Sequence, residues 1–327
     1  MRVLVTGATG KVGHATARTA LEAGHEVRAL VRDVAAARLV LPAGVEPVRG
    51  DVTELGSLTA AVAGCEVVFN AMGLPEQWLA DEALFERVNV QGTAAVVRAA
   101  GRADVRRVVH TSTIDVFDAD ADGVLRETQL ADTPKGTAYE RSKQRAERAA
   151  RDQAAAQEVE LVFTNPAAVY GPGPSGSASL ERQFLEPVAR GRRLKVPFCP
   201  PGGIGLAFTE SVGRGQLLAA ERGAPGERYI LCDGHVTFPE LAARVVRLCG
   251  SGRVPPVLPE RAARALAGAG EAVARVVRRP PLLARGQLHF FLWDAQPSAG
   301  KARAKLGWEP TPLDDGLRAT LADLGLL

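Results

Sequence analysis

The chain has 327 residues, 46% of them apolar and 24% charged, with a formal net charge of +3. That length supports a large buried core in one or two domains. The arginines alternate with Asp and Glu instead of forming a basic block, which argues against a nucleic-acid partner. No apolar run reaches the roughly 18 residues of a membrane span, so no membrane partner is expected. The first strand candidate begins at Arg2, which leaves no room for a signal peptide and makes a cytoplasmic location the expectation. Cys65, Cys199, Cys232 and Cys249 are scattered, with no Cys-x-x-Cys and no His at ligand spacing. They read as small core residues in a reducing compartment, and no metal site is expected.

In chain order, short β-branched runs alternate with amphipathic stretches. Strands are predicted at 2–6, 26–31, 46–49, 67–70, 107–111 and 161–165. Helices are predicted near 12–23, 57–63, 83–100 and 138–157. The continuous apolar runs Val3-Leu-Val5, Val67-Val-Phe69 and Val108-Val109 suit strands covered on both faces. The expected fold class is therefore α/β: a Rossmann-type doubly wound parallel sheet with a smaller, mostly C-terminal substrate lobe. After Pro166 the texture changes. Gly171-Pro-Gly-Pro-Ser-Gly-Ser177 and the stretch from Pro197 to Gly205 are loop-like. One more strand is predicted at 228–232, a helix at 238–249, and an alanine-rich surface helix at 261–278. The expected division is a sheet domain over 1–165, with a returning segment near 206–235. Residues 166–205 and 236–327 would form the lobe.

Gly7, Gly10 and Gly13 recur at intervals of three, after a strand and before a helix. That placement suits a dinucleotide pyrophosphate. The glycines serve the tight turn, the close backbone approach and the helix–sheet packing in that order, with Thr9, Lys11 and Val12 between them. An NAD site normally carries an acidic residue about 20 residues further on, at the end of the second strand. Val31 holds that place here, followed by Arg32 and Asp33. A guanidinium beside the adenosine ribose favours a 2′-phosphate, and Lys11 could add charge, so NADP(H) is expected over NAD(H).

Tyr139-Glu-Arg-Ser-Lys143 lies far downstream of this turn. Residues four apart share a helix face, so the phenol and the ammonium can meet. A nearby cation would lower the tyrosine pKa and make it a usable acid or base. Arg141, Arg145 and Arg148 fall on the opposite face and read as solvated. His110 reads as a packed histidine, and Trp78 as either a substrate-mouth or a packing residue.

Together these residues resemble the extended short-chain dehydrogenase/reductase family, and the similarity covers nearly the whole chain. Gly50-Asp51-Val52 resembles that family's adenine-contacting pair, and Asn70-Ala71-Met72-Gly73 the turn running along the cofactor. Asn89-Val-Gln-Gly-Thr93 is similar to its Asn-Val-x-Gly-Thr segment. His110-Thr111-Ser112-Thr113-Ile-Asp-Val-Phe117 is similar to its Ser-Ser-x-x-Val-Tyr strand end, which places Thr113 at the catalytic Ser/Thr position and Thr111 beside the cofactor. Asn165-Pro166-Ala-Ala-Val169-Tyr-Gly resembles the segment closing over the nicotinamide, and Lys305-Leu-Gly-Trp-Glu-Pro310 the C-terminal signature.

Three positions depart from the family pattern: Phe117 for the usual Tyr, Asn165 for the usual Arg, and Glu210-Ser211-Val212 for Asp-Asp-Val. They weaken the expectation of a nucleotide-sugar substrate. Arg32-Asp33 looks most like the dihydroflavonol-reductase branch, and Asn165-Pro166 resembles hopanoid-associated sugar-epimerase-like proteins. The resemblance implies that Tyr139 protonates a substrate oxygen, that Lys143 tunes Tyr139 and binds ribose hydroxyls, and that Thr113 donates to the same oxygen. The expected function is an NADPH-dependent carbonyl reductase or alcohol dehydrogenase acting on a small, fairly apolar metabolite. The alternatives are a nucleotide-sugar epimerase or dehydratase, and a non-catalytic NADP-binding redox sensor. A homodimer through the helices near 83–100 and 138–157 is a further implication.

Overall fold

The computed structural model describes residues 1–327 apart from 77–78, 177–178, 195–197, 278–291 and 293. Trp78 lies outside the described residues. In chain order the early strands are β1 (Arg2–Thr6), β2 (Glu26–Val31), β3 (Glu46–Arg49), β4 (Val67–Asn70), β5 (Arg107–Thr111), β6 (Phe117–Ala119) and β7 (Val124–Leu130). They are followed by β8 (Glu160–Pro166), β9 (Ala168–Tyr170), β10 (Gly203–Phe208), β11 (Arg228–Leu231), β12 (Gly234–Thr237) and β13 (Gln296–Pro297).

Seven of these form one sheet in the order β11-β8-β5-β4-β1-β2-β3, and every pairing in it is parallel. The order reverses between β1 and β4, which opens a crevice at their carboxyl ends where an open α/β sheet holds its ligand. The sheet is covered on both faces, as its apolar runs require. One face packs Val3, Val5, Phe69 and Val109 against Ala17 and Ala20 of the helix Lys11–Glu22 and Val212 and Ala219 of the helix Thr209–Arg222. The other packs Leu4, Val68 and Val108 against Leu58, Val96, Val97, Ala150 and Ala154.

The helix Thr209–Arg222 is not predicted by the sequence pattern, because Gly213 and Gly215 interrupt it and glycine disfavours helix interiors. Packing overrides propensity here. A Cβ on Gly213 would lie 2.2 Å from Thr19 Oγ1 and 2.9 Å from Ala15 O, so glycine is what lets this helix lie against Lys11–Glu22. For the same reason, part of the expected 197–205 loop is strand β10. A Cβ on Gly205 would meet Pro297 at 2.7 Å, and one on Gly203 would meet the His235 ring at 2.3 Å.

Beyond the main sheet, β9, β10 and β12 form a small mixed sheet. Around it lies a separate apolar cluster that includes Tyr170, Phe184, Leu206, Phe238, Leu241 and Leu317. The antiparallel pair β6–β7 follows β5, with β13 added beside β7. The predicted C-terminal helix runs over Glu260–Val277, with Ala263 and Ala267 buried and Leu266 and Val273 exposed. No helix among the described residues is long and apolar enough to cross a membrane.

Candidate active site

The glycine turn joins β1 to the helix Lys11–Glu22. Gly7 has φ +69°, and a Cβ there would sit 2.6 Å from Ala71 O, in the turn after β4. A Cβ on Gly13 would fall 2.3 Å from Gly7 O, so neither position admits a side chain. Gly10 donates its N–H to Gly7 O at 2.9 Å. A Cβ on it would touch only that same oxygen, at 3.4 Å, which leaves the outer side of the turn clear. Thr9 and Gly10 are exposed and Val12 packs inward. This geometry fits a pyrophosphate held against backbone N–H groups at a helix N-terminus. Lys11 turns away from the adenosine end: its Nζ donates to Gly171 O at 2.6 Å and pairs with Glu181 at 2.9 Å, and Glu181 is buried.

At the end of β2, Arg32 is exposed and has no ion pair or hydrogen bond among the described residues. Asp33 Oδ1 accepts from Ala36 N at 3.0 Å and caps the short helix Val34–Arg38. Its carboxylate is therefore held by the chain itself. Asp51 accepts from Thr53 N and Oγ1 at 2.9 and 2.8 Å, and Val52 fits into the space that the absent side chain of Gly92 leaves.

The Asn70 side chain is buried in structural bonds. It accepts from Thr6 Oγ1 at 2.6 Å and lies 3.0 Å from His110 Nδ1, joining β1, β4 and β5. Ala71, Met72 and Gly73 continue this turn along the crevice. Asn89 Oδ1 accepts from Leu74 N at 2.8 Å, and its Nδ2 donates to Ser142 Oγ at 2.8 Å. Asn89 thereby pins the turn after β4 to the helix that carries Lys143. It lies in a widened helical turn, Glu86–Gly92, within the run from Ala83 to Arg102.

Thr113, Tyr139 and Lys143 come together at the carboxyl end of β5. Thr137 and Glu140 form a capping box that starts the helix Ala138–Gln157 and places Tyr139 in its first turn. Tyr139 lies close to Thr113, whose hydroxyl donates to Asp115 Oδ2 at 2.9 Å. Lys143 Nζ donates to Thr111 O at 2.8 Å and lies 4.0 Å from the position of a Cβ on Gly73. One of its three N–H donors is thus occupied, and the ammonium borders the crevice. Thr111 Oγ1 accepts from Gln216 at 2.7 Å. Asn165 Nδ2 holds Thr113 O at 3.0 Å, while Pro166 is buried at the end of β8 and Val169 is half-buried in β9.

The electrostatics depart from the expectation that Lys143 lowers the Tyr139 pKa. Burial, followed by the Asp115 carboxylate, pushes the phenol well above its ordinary value, with the Thr113 hydroxyl opposing. Burial brings Lys143 down to about 8, opposed by Glu147 and Asp115. His110 is fully buried and is held well below its usual pKa by burial and by Lys143, as suits a packed neutral imidazole.

Arg141 and Arg145 are not simply solvated. They pair with Glu82 at 3.6 Å and Glu86 at 3.1 Å, linking the two helices that flank the site. Two carboxylates near Tyr139, Asp115 and Glu76, escaped the sequence reading. Asp115 had a local signal, an acidic residue two places after a capping Thr.

The sheet, the glycine turn and the Thr–Tyr–Lys cluster define an oxidoreductase built on a Rossmann-type fold. Residues 3–202 match the NAD dependent epimerase/dehydratase family, and the chain belongs to this extended short-chain dehydrogenase/reductase family, whose members use a nicotinamide cofactor. It is 32% identical over 317 residues to the 4-hydroxy-2-methyl-3-oxo-4-farnesyl-3,4-dihydroquinoline-1-oxide ketoreductase of Stigmatella aurantiaca, covering 94% of this chain and 92% of that one. It is 29% identical over 326 residues to sterol demethylase protein B of Methylococcus capsulatus, covering 99% and 97%. UDP-glucose 4-epimerase of Thermotoga maritima shares the fold, with a TM-score of 0.80 at 19% identity over 99% of both chains.

Proposed function

We propose that this enzyme is an NADP(H)-dependent reductase that interconverts a carbonyl and an alcohol on a small, fairly apolar metabolite. The observation that carries the reading is Tyr139. Burial and Asp115 keep it a protonated phenol, one helical turn from Lys143, which suits an acid that gives its proton to a developing alkoxide. The nicotinamide, when bound, supplies the hydride. The chain's own residues orient and protonate: Lys143 offers N–H donors to ribose hydroxyls beside Gly73, Tyr139 meets the substrate oxygen, and Asn89 keeps both walls of the crevice in register.

The 2′-phosphate preference is supported at β2, where Arg32 stands free and the nearest carboxylate, Asp33, is engaged in capping. An apolar substrate is supported by Phe117 and by the farnesyl and sterol names of two relatives. We assign substrate selection to the lobe around β9, β10 and β12, and nucleotide binding to residues 1–165 with the returning helix and β11.

Screening ketones and aldehydes with NADPH and NADH tests the reading. Net NADPH oxidation that is lost in Tyr139→Phe is expected. Unchanged NADPH affinity in Arg32→Ala would sink the NADP assignment. Tightly retained cofactor with no net oxidation would mark an epimerase-type cycle instead. Light scattering of the purified protein decides whether the flanking helices Thr93–Arg102 and Ala138–Gln157 support a dimer.

A further inference from the structure

Asn165 is fully buried in β8 and uses both hydrogens of its amide. Nδ2 donates to Thr113 O at 3.0 Å and to Glu147 Oε1 at 3.1 Å. Oδ1 is buried with no hydrogen-bond partner among the described residues. A backbone carbonyl and an ionised carboxylate only accept, so the amide has one workable orientation; turned over, its oxygen would face both of them. A buried acceptor left unpaired is costly, and an apolar side chain of similar size would avoid that cost. What the amide contributes is the two donated bonds.

Those bonds join the two halves of the reaction centre. Thr113 follows the end of β5, two residues beyond Thr111, whose carbonyl accepts from Lys143 Nζ at 2.8 Å. Glu147 stands on the helix Ala138–Gln157, where Tyr139, Lys143 and Glu147 recur at intervals of four and share a face. Its other oxygen accepts from Arg228 Nε of β11 at 2.7 Å. Residue 165 is thus a neutral donor where the related family has an arginine, and the cation beside Glu147 comes from the adjoining strand.

We propose that Asn165 is a positioning residue: its amide ties Thr113 to Glu147 and so sets the separation between the strand end that carries Thr113 and the helix face that carries Tyr139 and Lys143. This rests on the carbonyl–alcohol chemistry proposed for the site. A displacement of reacting groups by about 1 Å can slow a reaction roughly 100-fold, so loss of the tie falls on the chemical step and not on cofactor affinity.

Thr113-Ile114 is the one Thr-Ile pair in the chain, so ¹³C-carbonyl threonine combined with ¹⁵N-isoleucine gives a single carbonyl–amide signal, that of Thr113. Asn165→Leu removes both donors and should move this carbonyl upfield, as the loss of a hydrogen bond does. In single-turnover reduction of a ketone found in the screen, it should slow the reaction about 100-fold with NADPH affinity unchanged. Asn165→Asp has nearly the native shape and serves if Asn165→Leu does not fold. Its carboxylate has no hydrogen to donate and its acid form has one, a form that the neighbouring Glu147 favours. The other titratable groups of this network are Lys143 on the helix, Arg228 on β11 and Asp115 beside Thr113. In Asn165→Asp the Thr113 carbonyl and the rate relative to the native enzyme should return together toward native values as pH falls. A carbonyl that stays in place in both variants would overturn the tie. So would a displaced carbonyl with native rates, a loss confined to NADPH affinity, or a rate and a carbonyl signal that vary independently with pH. Failure of the native enzyme to reduce any carbonyl would sink the reductase reading, and the Thr113 signal would still decide whether the tie exists.

Discussion

At Lys143, burial outweighs the carboxylates of Glu147 and Asp115 and brings the ammonium down to about 8. The group is charged below that pH and neutral above it, so any role as a cationic donor fades as pH rises through about 8. NADPH affinity, followed by fluorescence, should weaken across that range in the native enzyme and lose this limb in Lys143→Arg, whose guanidinium stays charged. Between about 8 and the ordinary 10.5, the unfolded chain holds this proton and the folded protein does not, so this group's contribution to stability rises with pH there. The spacing of Tyr139 and Lys143 was legible in the sequence because a helix brings residues four apart together. The sign of the tyrosine shift was not. It depends first on how deeply the fold buries the phenol and then on Asp115, whose approach is set at the end of β5.

The helix Ala138–Gln157 does more than present two side chains. Its Glu147 accepts from Arg228 Nε of β11 at 2.7 Å and from Asn165 Nδ2 of β8 at 3.1 Å, with both charged partners buried. Glu147→Ala would leave the Arg228 guanidinium buried without its counter-charge, and a loss of about 3–5 kcal/mol is expected in urea unfolding. A near-native midpoint would show that water reaches Arg228 freely. Elements with strong periodicity or clear caps agree closely with their sequence predictions: β1 to β5, the helix Ala138–Gln157 and the helix Phe238–Cys249. The helix Thr209–Arg222 and strand β10 do not, because their glycines serve contacts with Thr19, Leu231, Pro297 and His235 that local propensity cannot register.

Across the molecule, the glycine turn is tied to the segment after β9 by the Lys11–Glu181 pair and the Lys11 bond to Gly171 O. Glu181 Oε1 also accepts from Gly171 N at 2.8 Å, so one buried carboxylate organises both. Lys11→Ala should therefore speed amide exchange around Gly171 and Glu181 while β4 and β5 stay protected, as read by hydrogen-exchange mass spectrometry. Unchanged exchange there would mean that apolar contacts alone hold the segment. The sequence determined the doubly wound sheet, the glycine turn and the Tyr139–Lys143 pair, since these follow from local periodicity, steric demands on glycine and motif spacing, while Thr113 came from the resemblance to the family. Only the tertiary structure decided that Lys11 pairs with Glu181, that Asp33 caps its own helix and that Asp115 takes the Thr113 hydroxyl hydrogen. Each of these depends on which charges meet in space and how deeply they are buried, and sequence distance carries neither quantity.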